Sequence, residues 1–537
     1  MSTPRHLLGA MALLARFRRD KSANIAVLFA IAVLPVLTAV GCAVDYSFAA
    51  RMKAKLQSAA DAAAIASIAV NSAGYRAAAL MTTSGPVPAG VTEANNIFNG
   101  NMATTMGYNN LSVTSTVTKT GPVLASTVTF SAQVPVTFMK VVGWQFMTVT
   151  GISKASSSQP PYLDFYLTLD VSGSMGLPST PAEALRMQSI NPDNYVQYPT
   201  GCTLACHFAP QSSACTDAGT QRYKTNNYCM GFVYSRLSQT ALANLINQPS
   251  TVAVPKTAVP GLPDALRPGL TTNVSAGASN SLITGNPASL PYSVAAVSSC
   301  PTDGTDSCIQ LRLDAVSYAV NQLLQKASDP TVEKVANQFR IGIYPFIRFV
   351  DTSYSPLTTS ITGSAITSAA AGLPSLLDTN MNANLGSGGT HIDNALSSIN
   401  TLIASVGDGS ASNNTQPYVF LVTDGAQDPQ TKGVPNGGWA GSNHATVIDP
   451  VAVCKPLKDR GITISVLYIP YVPINPVNAS FAGDEDDAAN NNISSIEPSL
   501  QACASPGFYY SASTPTGITD ALNKMFNHAV ATAHVTN

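Results

Sequence analysis

The side chains in this sequence that could do chemistry are oxygen donors that follow apolar runs. Asp170-Val-Ser-Gly-Ser174 comes after the run 162–169, and Asp424 comes after the run 418–423. A glycine-rich segment between them, Gly386-Ser-Gly-Gly-Thr390, precedes a helical pattern. Carboxylate and hydroxyl oxygens favour hard cations such as Mg²⁺, Ca²⁺ and Mn²⁺ over Zn²⁺. We therefore predict a divalent-cation site whose ligands are Asp170, Ser172, Ser174, Thr390 and Asp424.

This predicted site offers only two carboxylates, because its other ligands are neutral hydroxyls. A divalent ion held there keeps positive character and an exchangeable position, which the carboxylate of a partner can occupy. That chemistry is recognition and breaks no bond. The sequence has no Gly-x-Ser-x-Gly elbow, His-Glu-x-x-His pair or phosphate-binding Gly-Lys loop, so we predict that the protein is not an enzyme. An exported hydrolase that activates water with the metal is a less favoured alternative.

The order of these ligands resembles the metal-ion-dependent adhesion site of von Willebrand factor A domains. That site combines Asp-x-Ser-x-Ser with a later Thr and a later Asp. The resemblance implies an α/β, Rossmann-like domain over residues 162–537. It departs from a minimal A domain after Ser174, where a helix normally follows at once and a large insertion, 177–307, is expected instead.

Apolar runs and helical patterns predict the elements that must position the ligands. Continuously apolar runs are typical of parallel strands buried on both faces, and ligand sites lie at the carboxyl ends of such strands. Besides the two runs that precede Asp170 and Asp424, strands are predicted at 339–350 and 462–469. Helices are predicted at 308–326, 392–403, 450–460 and 518–530.

Eight of the nine cysteines lie beyond an N-terminal apolar segment, which suggests disulfides in an exported region. They are Cys202, Cys206, Cys215, Cys229, Cys300, Cys308, Cys454 and Cys503. We predict that Cys454 pairs with Cys503 and leave the other pairings open. Cys202-Thr-Leu-Ala-Cys206-His has one residue too many between its cysteines for haem attachment, so a disulfide-linked turn is favoured.

Two further polar features have ordinary explanations that we prefer. Asp484-Glu-Asp-Asp487 could bind Ca²⁺, but a solvated loop is the better interpretation. His391 adjoins the predicted metal loop, and a structural role or a contact with the metal ligands is favoured over a role as a base.

Residues 23–44 form a run of 22 residues without a charge. As a helix it is about 33 Å long, enough to cross a hydrocarbon core of about 30 Å. Five basic residues precede it and three follow it, namely Arg5, Arg16, Arg18, Arg19 and Lys21 against Arg51, Lys53 and Lys55. The bias predicts a single-pass inner-membrane protein with a cytoplasmic tail, 1–22, and a periplasmic remainder. A cleaved signal peptide and a lipoprotein that begins at Cys42 are the alternatives.

Residues 45–155 read as a continued helix followed by a small β region. The helix extends to about Val70, with a weak apolar stripe formed by Leu56, Ala60, Ala63 and Ile65. It is either a stalk or a packing helix like those of pilins. Alternating residues at 111–118 and 126–134 predict strands. A linker is predicted at 156–161.

The N-terminus resembles the tight-adherence (Flp) pilus assembly proteins of the TadG type. The resemblance is carried by Arg18-Arg-Asp-Lys-Ser-Ala-Asn-Ile-Ala-Val-Leu-Phe-Ala30, by Val44-Asp-Tyr46 and by Leu56-Gln-Ser-Ala-Ala-Asp-Ala-Ala-Ala64. It implies an anchored protein with an exported A-type domain. Ser22-Ala23 replaces the Gly at which pilin-like members are cut, and no Glu follows, so stable anchoring is favoured over processing.

Together these features predict a minor-pilin-like or pilus assembly protein that binds a partner or surface ligand through a divalent metal. Its expected partners are pilus or envelope components that offer a carboxylate, and a position in the pilus or at the cell surface stays open. A metal-dependent envelope adhesin unconnected with pili is the alternative. The formal net charge of −1 gives no electrostatic basis for nucleic-acid binding.

Overall fold

A helix of 44 residues, α1 (Ala23–Ala66), begins the part of the chain that the structure describes. Pro35 lies inside α1 without ending it, as transmembrane helices allow. Within the described residues, α1 is the one helix that is long and apolar enough to cross a membrane, over Leu28–Ala66.

The chain divides into two compact units, Met1–Gln159 and Pro160–Asn537. The computed structural model describes residues 23–190, 235, 299–335, 337–378, 383–434, 438–442, 444–473 and 487–533. The predictions for the basic tail, for most of the insertion, and for Cys202, Cys206, Cys215, Cys229 and Asp484 lie outside these residues.

The first unit packs helices against an antiparallel sheet. After α1 come α2 (Ala73–Ala79), β1 (Gly85–Pro86), α3 (Pro88–Met102), β2 (Asn109–Thr120), β3 (Val123–Pro135), a 3₁₀ turn (Met139–Val142) and β4 (Phe146–Ser158). The strands pair in the order β1-β2-β3-β4. The two strands predicted from alternating residues are therefore present as β2 and β3.

The second half of α1 is a packing helix and not an isolated stalk. Leu56, Ala60 and Ala63 are buried in a core that includes Phe98 of α3. Ile65, which we placed on the same stripe, is exposed instead. It lies nine residues beyond Leu56, and at 100° per residue that spacing puts it on the opposite side of the helix.

Half of the predicted linker is strand. Ser156, Ser157 and Ser158 belong to β4 and pair with Ala125, Leu124 and Val123 of β3. The three serines carry no apolar alternation, so their sequence gives no strand signal. Their conformation comes from the neighbouring strand, which supplies the hydrogen-bonding partners.

The second unit begins with β5 (Leu163–Asp170), a 3₁₀ turn (Gly173–Gly176), α4 (Pro181–Ile190), α5 (Arg312–Ala327), β6 (Phe339–Phe346), β7 (Ser355–Thr358) and α6 (Ser364–Gly372). It continues with a 3₁₀ turn (Leu373–Leu376), α7 (Ile392–Leu402), β8 (Gln416–Thr423), β9 (Thr431–Lys432), β10 (Trp439–Ala440), α8 (Pro450–Val453) and α9 (Lys455–Asp459). It ends with β11 (Thr463–Tyr468), α10 (Asp487–Cys503), β12 (Tyr509–Ser511) and α11 (Pro515–Thr532).

Six of these strands form one sheet in the order β12-β11-β8-β5-β6-β7. All neighbours are parallel except β7, which is antiparallel to β6 at the edge. All eight residues of β5 are buried. Phe165 and Leu167 face one core, which also contains residues of α5 and α11, while Tyr166 faces a second core with residues of α7. The predicted α/β class, with helices on both faces of a parallel sheet, is confirmed.

A helix occupies the start of the segment that we predicted as an insertion. Glu183 of α4 is fully buried and accepts hydrogen bonds from the N–H groups of Gly304 at 2.8 Å and Gln310 at 2.9 Å. We expected the first helix after Ser174 to begin only at residue 308. Instead, α4 lies close behind Ser174 and precedes that helix.

Two disulfides lie in the described part of this unit. Cys454 pairs with Cys503, as predicted, and the bond joins α10 to the end of α8. Cys300 pairs with Cys308, eight residues away. Cys42 is free.

Candidate functional site

Asp170 is the last residue of β5 and is held by two hydrogen bonds. The N–H of Ser172 donates to Asp170 Oδ1 at 2.9 Å, and Thr423 Oγ1, at the end of β8, donates to Asp170 Oδ2 at 2.6 Å. Ser172 Oγ lies 3.4 Å from Ser174 Oγ. Because β5 and β8 are parallel neighbours, their carboxyl ends bring Asp170 close to Asp424.

Asp424 follows β8 directly and is fully buried. Neither of its carboxylate oxygens accepts a hydrogen bond of regular geometry, although the Ser174 hydroxyl and the Ala426 N–H are near enough to oppose the rise in its pKa. Arg312 lies beside it, with Nη1 at 3.7 Å from Asp424 Oδ2, and donates through Nη2 to the Pro470 carbonyl at 3.1 Å. Buried polar atoms without partners are costly and rare. A cation bound here would give both oxygens a partner.

The two carboxylates raise each other's cost of ionisation. Burial raises the pKa of Asp170 to about 7, and the charge of Asp424 adds to the rise. Burial also raises the pKa of Asp424, against the opposing effects of the Arg312 charge and the Ser174 hydroxyl. A pair of buried carboxylates with too little positive charge around it is the environment that a divalent ion stabilises.

Thr390 lies in a loop whose glycines are required by its geometry. Gly388 and Gly389 have φ values of +79° and +69°, and a Cβ on Gly389 would lie 2.2 Å from the carbonyl oxygen of Asp428. The N–H of Thr390 donates to the Asp428 carbonyl at 3.1 Å, and the N–H of Asp428 donates to the Thr390 carbonyl at 2.9 Å.

Asp378 fastens this glycine loop to the end of β5. Its carboxylate accepts hydrogen bonds from Ser387 Oγ at 2.7 Å and from the N–H of Gly388 at 2.9 Å. Its own N–H donates to the carbonyl of Val171 at 3.0 Å. Since Val171 follows Asp170, the loop that carries Thr390 is fixed at the same edge of the sheet as the four other predicted ligands.

The site lies where the strand order of the sheet reverses. β5 is central, and the chain passes outward from it to β6 and β7 on one side before it returns to β8 on the other. In open α/β sheets this switch point, at the carboxyl ends of the strands, is where ligands bind. Asp170 is the last residue of one of the two strands that flank it, and Asp424 directly follows the other.

Three residues of this region were not predicted. Arg312, Thr423 and Asp378 each contact a predicted ligand or its loop. Thr423 could have been found, because it is a polar residue at the end of an apolar run. Arg312 and Asp378 give no such signal, since their positions depend on how distant segments pack.

His391 has the structural contacts that we expected of it. Its Nε2 lies 3.1 Å from the Gln430 carbonyl, and its N–H donates to the Ile347 carbonyl at 2.9 Å. In the described part of the chain, no three side chains of Asp, Glu, His or Cys converge on one point. A cation bound at the two carboxylates would therefore depend on hydroxyls for its remaining oxygens.

Residues 23–74 match a family model described as putative Flp pilus-assembly TadE/G-like. This N-terminal segment is TadE/G-like. The match spans α1 and the first residues of α2, and it confirms the resemblance predicted from the N-terminal motifs. A search of the curated proteins found no match to the chain.

Three solved structures of pilus proteins show distant similarity to this chain. The pilus adhesin SpaC of Lactobacillus rhamnosus GG is 11% identical over 80% of this chain and 36% of its own, with a TM-score of 0.28. The PilB minor pilin of Streptococcus sanguinis is 9% identical over 80% of each chain, with a TM-score of 0.29. The vWF domain of the type V pili tip protein Mfa5 of Porphyromonas gingivalis is 13% identical over 41% of this chain and 88% of its own, with a TM-score of 0.23.

Proposed function

We propose that this protein is a membrane-anchored pilus-assembly or minor-pilin-like protein that binds a partner through a divalent cation. The TadE/G-like segment supports the pilus part. One observation carries the cation part: the buried carboxylate of Asp424 has no hydrogen bond of regular geometry on either oxygen and lies beside a second buried carboxylate, Asp170.

The second unit is, in this proposal, a von Willebrand A-type domain. Numbered along the chain, the six strands of its large sheet have the order 3-2-1-4-5-6, which is a doubly wound order. The ligand set that resembles the metal-ion-dependent adhesion site falls at the switch point of that order. The antiparallel edge strand β7 is compatible with this arrangement.

Asp170, Ser172, Ser174, Thr390 and Asp424 would hold the ion, which is Mg²⁺, Ca²⁺ or Mn²⁺ by the hardness of the oxygen donors. When bound, the ion supplies positive charge and an exchangeable position for a carboxylate of the partner. The chain's own groups orient the site, because Thr423 and the N–H of Ser172 fix the Asp170 carboxylate. The histidine next to Thr390 makes structural contacts, which supports binding and not bond cleavage as the role of this site.

The location follows from the apolar helix and from the charges that flank it. Helix α1 would anchor the chain in the inner membrane with its basic tail in the cytoplasm, and the second unit would be periplasmic or displayed with the pilus. The partner is a pilus component, an envelope protein or a surface ligand that presents a carboxylate.

Thermal unfolding of the full chain in detergent, in EDTA and in excess Mg²⁺, tests the cation site. Mg²⁺ at about 100 times its Kd would stabilise the native protein by about 2.7 kcal/mol. Asp424→Asn should abolish the shift, whereas Asp459→Asn, an exposed carboxylate that pairs with Lys455, should keep it. If the melting temperature of the wild type is the same in EDTA and in Mg²⁺, Ca²⁺ or Mn²⁺, the proposal of a metal site is wrong.

A deletion strain tests the pilus assignment separately. Pilus number and surface attachment should fall on deletion and return with the wild-type gene or with the Asp459→Asn control. Asp424→Asn should restore the protein level but not the attachment. Unchanged pili and attachment in the deletion strain would refute the pilus role even if Mg²⁺ binds in vitro.

A further inference from the structure

The connection between β3 and β4 exposes a cluster of large apolar side chains, which we call the apolar loop (residues 138–146). Val141 is 77% exposed and Trp144 is 57% exposed. Phe138, Val142 and Phe146 are exposed as well. Exposed apolar groups in one short loop are unfavourable in water, and such patches mark contact surfaces.

The carboxylate of Asp45 fastens this loop to α1. It accepts three backbone hydrogen bonds, from the N–H groups of Thr137 at 3.0 Å, Phe138 at 2.8 Å and Met139 at 2.7 Å. The side chain of Phe138 also packs directly on Gly41, where an added Cβ would lie 2.5 Å from Phe138 Cβ. The loop therefore has a fixed position along α1.

That position coincides with the end of the apolar run 23–44. Gly41 is three residues inside the run, about 4.5 Å along the helix from Val44. On α1 itself, Leu37, Val40 and Val44 are exposed at this level. If α1 spans a bilayer, the loop must lie at the depth where the helix leaves the hydrocarbon core.

The composition of the loop fits this depth. Trp is enriched at membrane interfaces, since its ring is apolar and its N–H can donate to polar headgroups. Lys140 is exposed beside it and can pair with lipid phosphate while its stem stays apolar. Gly143, with a φ of +91°, closes the 3₁₀ turn through its N–H to the Lys140 carbonyl at 3.0 Å. The turn thus presents Val141, Val142 and Trp144 together.

We propose that the apolar loop is a second membrane contact, which inserts Val141, Val142 and Trp144 into the phospholipid interface beside the point where α1 leaves the bilayer. The proposal rests on the anchor part of the proposed function and is independent of the metal site. Such a contact would restrain the tilt and rotation of the first unit on the membrane, which a single helix anchor leaves free.

Tryptophan fluorescence can test the contact, because the chain has two tryptophans. In Trp439→Phe, Trp144 is the only tryptophan. The full chain is reconstituted into bilayer nanodiscs made with ordinary or brominated phosphatidylcholine. We expect the emission maximum of Trp144 to lie at a shorter wavelength than that of an indole exposed to water. We also expect the emission to be quenched in the brominated bilayer.

A matched control places a tryptophan on the same unit but farther from the bilayer. The carbonyl of Ile152 accepts a hydrogen bond from Gln57 Nε2 at 3.0 Å, and Gln57 lies 12 residues beyond Asp45, about 18 Å along α1. Ile152 is itself exposed. In a Trp144→Phe, Trp439→Phe background, Ile152→Trp should therefore remain unquenched.

Alkaline carbonate extraction separates the two ways of failing. Extraction of the wild type from membranes would refute the anchor, and with it the docking. Retention in the membrane together with unquenched Trp144 would refute the docking alone. If the emission wavelength of Trp144 changes with protein concentration and brominated lipid does not quench the emission, the loop contacts a second protein chain. That result would also overturn the proposal.

Discussion

Arg312 Nη1 and Asp424 Oδ2 lie 3.7 Å apart, and both side chains are buried. The contact is an ion pair without a hydrogen bond, since 3.7 Å is beyond hydrogen-bonding distance. Burial lowers the pKa of Arg312, and the charge of Asp424 opposes that effect. Arg312 therefore supplies part of the positive charge that the two buried carboxylates need, and a metal ion at the site would share Asp424 with it.

Arg312→Met should make the protein more dependent on metal. In EDTA the variant should lose about 3 kcal/mol of stability, because a buried carboxylate loses its cationic neighbour. Mg²⁺ should recover much of this loss, so that the Mg²⁺-induced rise in melting temperature is larger than in the wild type. Arg186→Met, which removes a part-buried arginine bonded to Glu183, should lower the melting temperature equally in EDTA and Mg²⁺. An unchanged Mg²⁺ response in Arg312→Met would contradict the shared use of Asp424.

Gly389→Ala should disturb the metal site without changing a ligand. The new methyl group would meet the Asp428 carbonyl at 2.2 Å at a φ of +69°, and strain of this kind costs about 2 kcal/mol or more. Mg²⁺ affinity measured by calorimetry should fall. Gly304→Ala is the matched control, because Gly304 has a φ of +71° with open space around it. It should cost about 1 kcal/mol and leave Mg²⁺ affinity unchanged.

The two disulfides should differ in their contribution to stability. The Cys454–Cys503 bond closes a segment with a sequence separation of 49, for which chain entropy gives about 4 kcal/mol. The Cys300–Cys308 bond, with a separation of eight, gives about 2.5 kcal/mol by the same relation. Urea unfolding of Cys454→Ser, Cys503→Ser and of Cys300→Ser, Cys308→Ser should show the larger loss for the first pair. Equal losses would mean that strain or residual structure outweighs loop length.

Acid should release the apolar loop from α1. Burial raises the pKa of Asp45, but the three backbone N–H groups and Lys140 outweigh it, so the net pKa is lowered. A lowered pKa stabilises the folded state above the unfolded value of about 3.9, and this contribution is lost as the pH falls through the folded-state pKa. Hydrogen-exchange protection of the amides at 137–139 should therefore drop below about pH 4.

Asp45→Asn should remove that pH dependence and lower the protection at neutral pH. Asp61→Asn, in the same helix and exposed, should retain the wild-type profile. Protection that stays constant to pH 2 in the wild type would show that the three hydrogen bonds do not depend on the charge of Asp45.

The sequence predicts the strands and helices whose own residues show a clear apolar pattern. It does not predict elements whose conformation is determined by contacts with a neighbouring element. β5 and β8 were recognisable because both faces of each strand are buried, and the ligands at their ends followed from that. Ser156–Ser158 carry no pattern of their own, since β3 determines their strand conformation. The position of Arg312 depends on the packing of α5 against the ends of β8 and β11.

Among the helices that were not predicted, α10 and α4 were missed for different reasons. In α10, Ile496, Leu500 and Cys503 are buried at spacings of four and three residues, so a helical signal existed within a polar stretch. In α4, the buried face includes the carboxylate of Glu183, whose partners Gly304 and Gln310 lie more than a hundred residues away. No local reading of residues 181–190 identifies such a contact.

The hydrogen bonds in and beside α4 also affect where the chain can change in length. Just before α4, Ser179 Oγ donates to Gln310 Oε1 at 2.6 Å, and Glu183 within α4 accepts a hydrogen bond from the N–H of Gly304. These contacts join the two sides of the segment 191–298 through residues that lie outside it. The entropic cost of closing a connection grows only slowly with the number of residues in it, so a longer or shorter connection between residues 190 and 299 would change this cost little. Variation in the length of the chain at this position is therefore compatible with an unchanged sheet and an unchanged acidic pair.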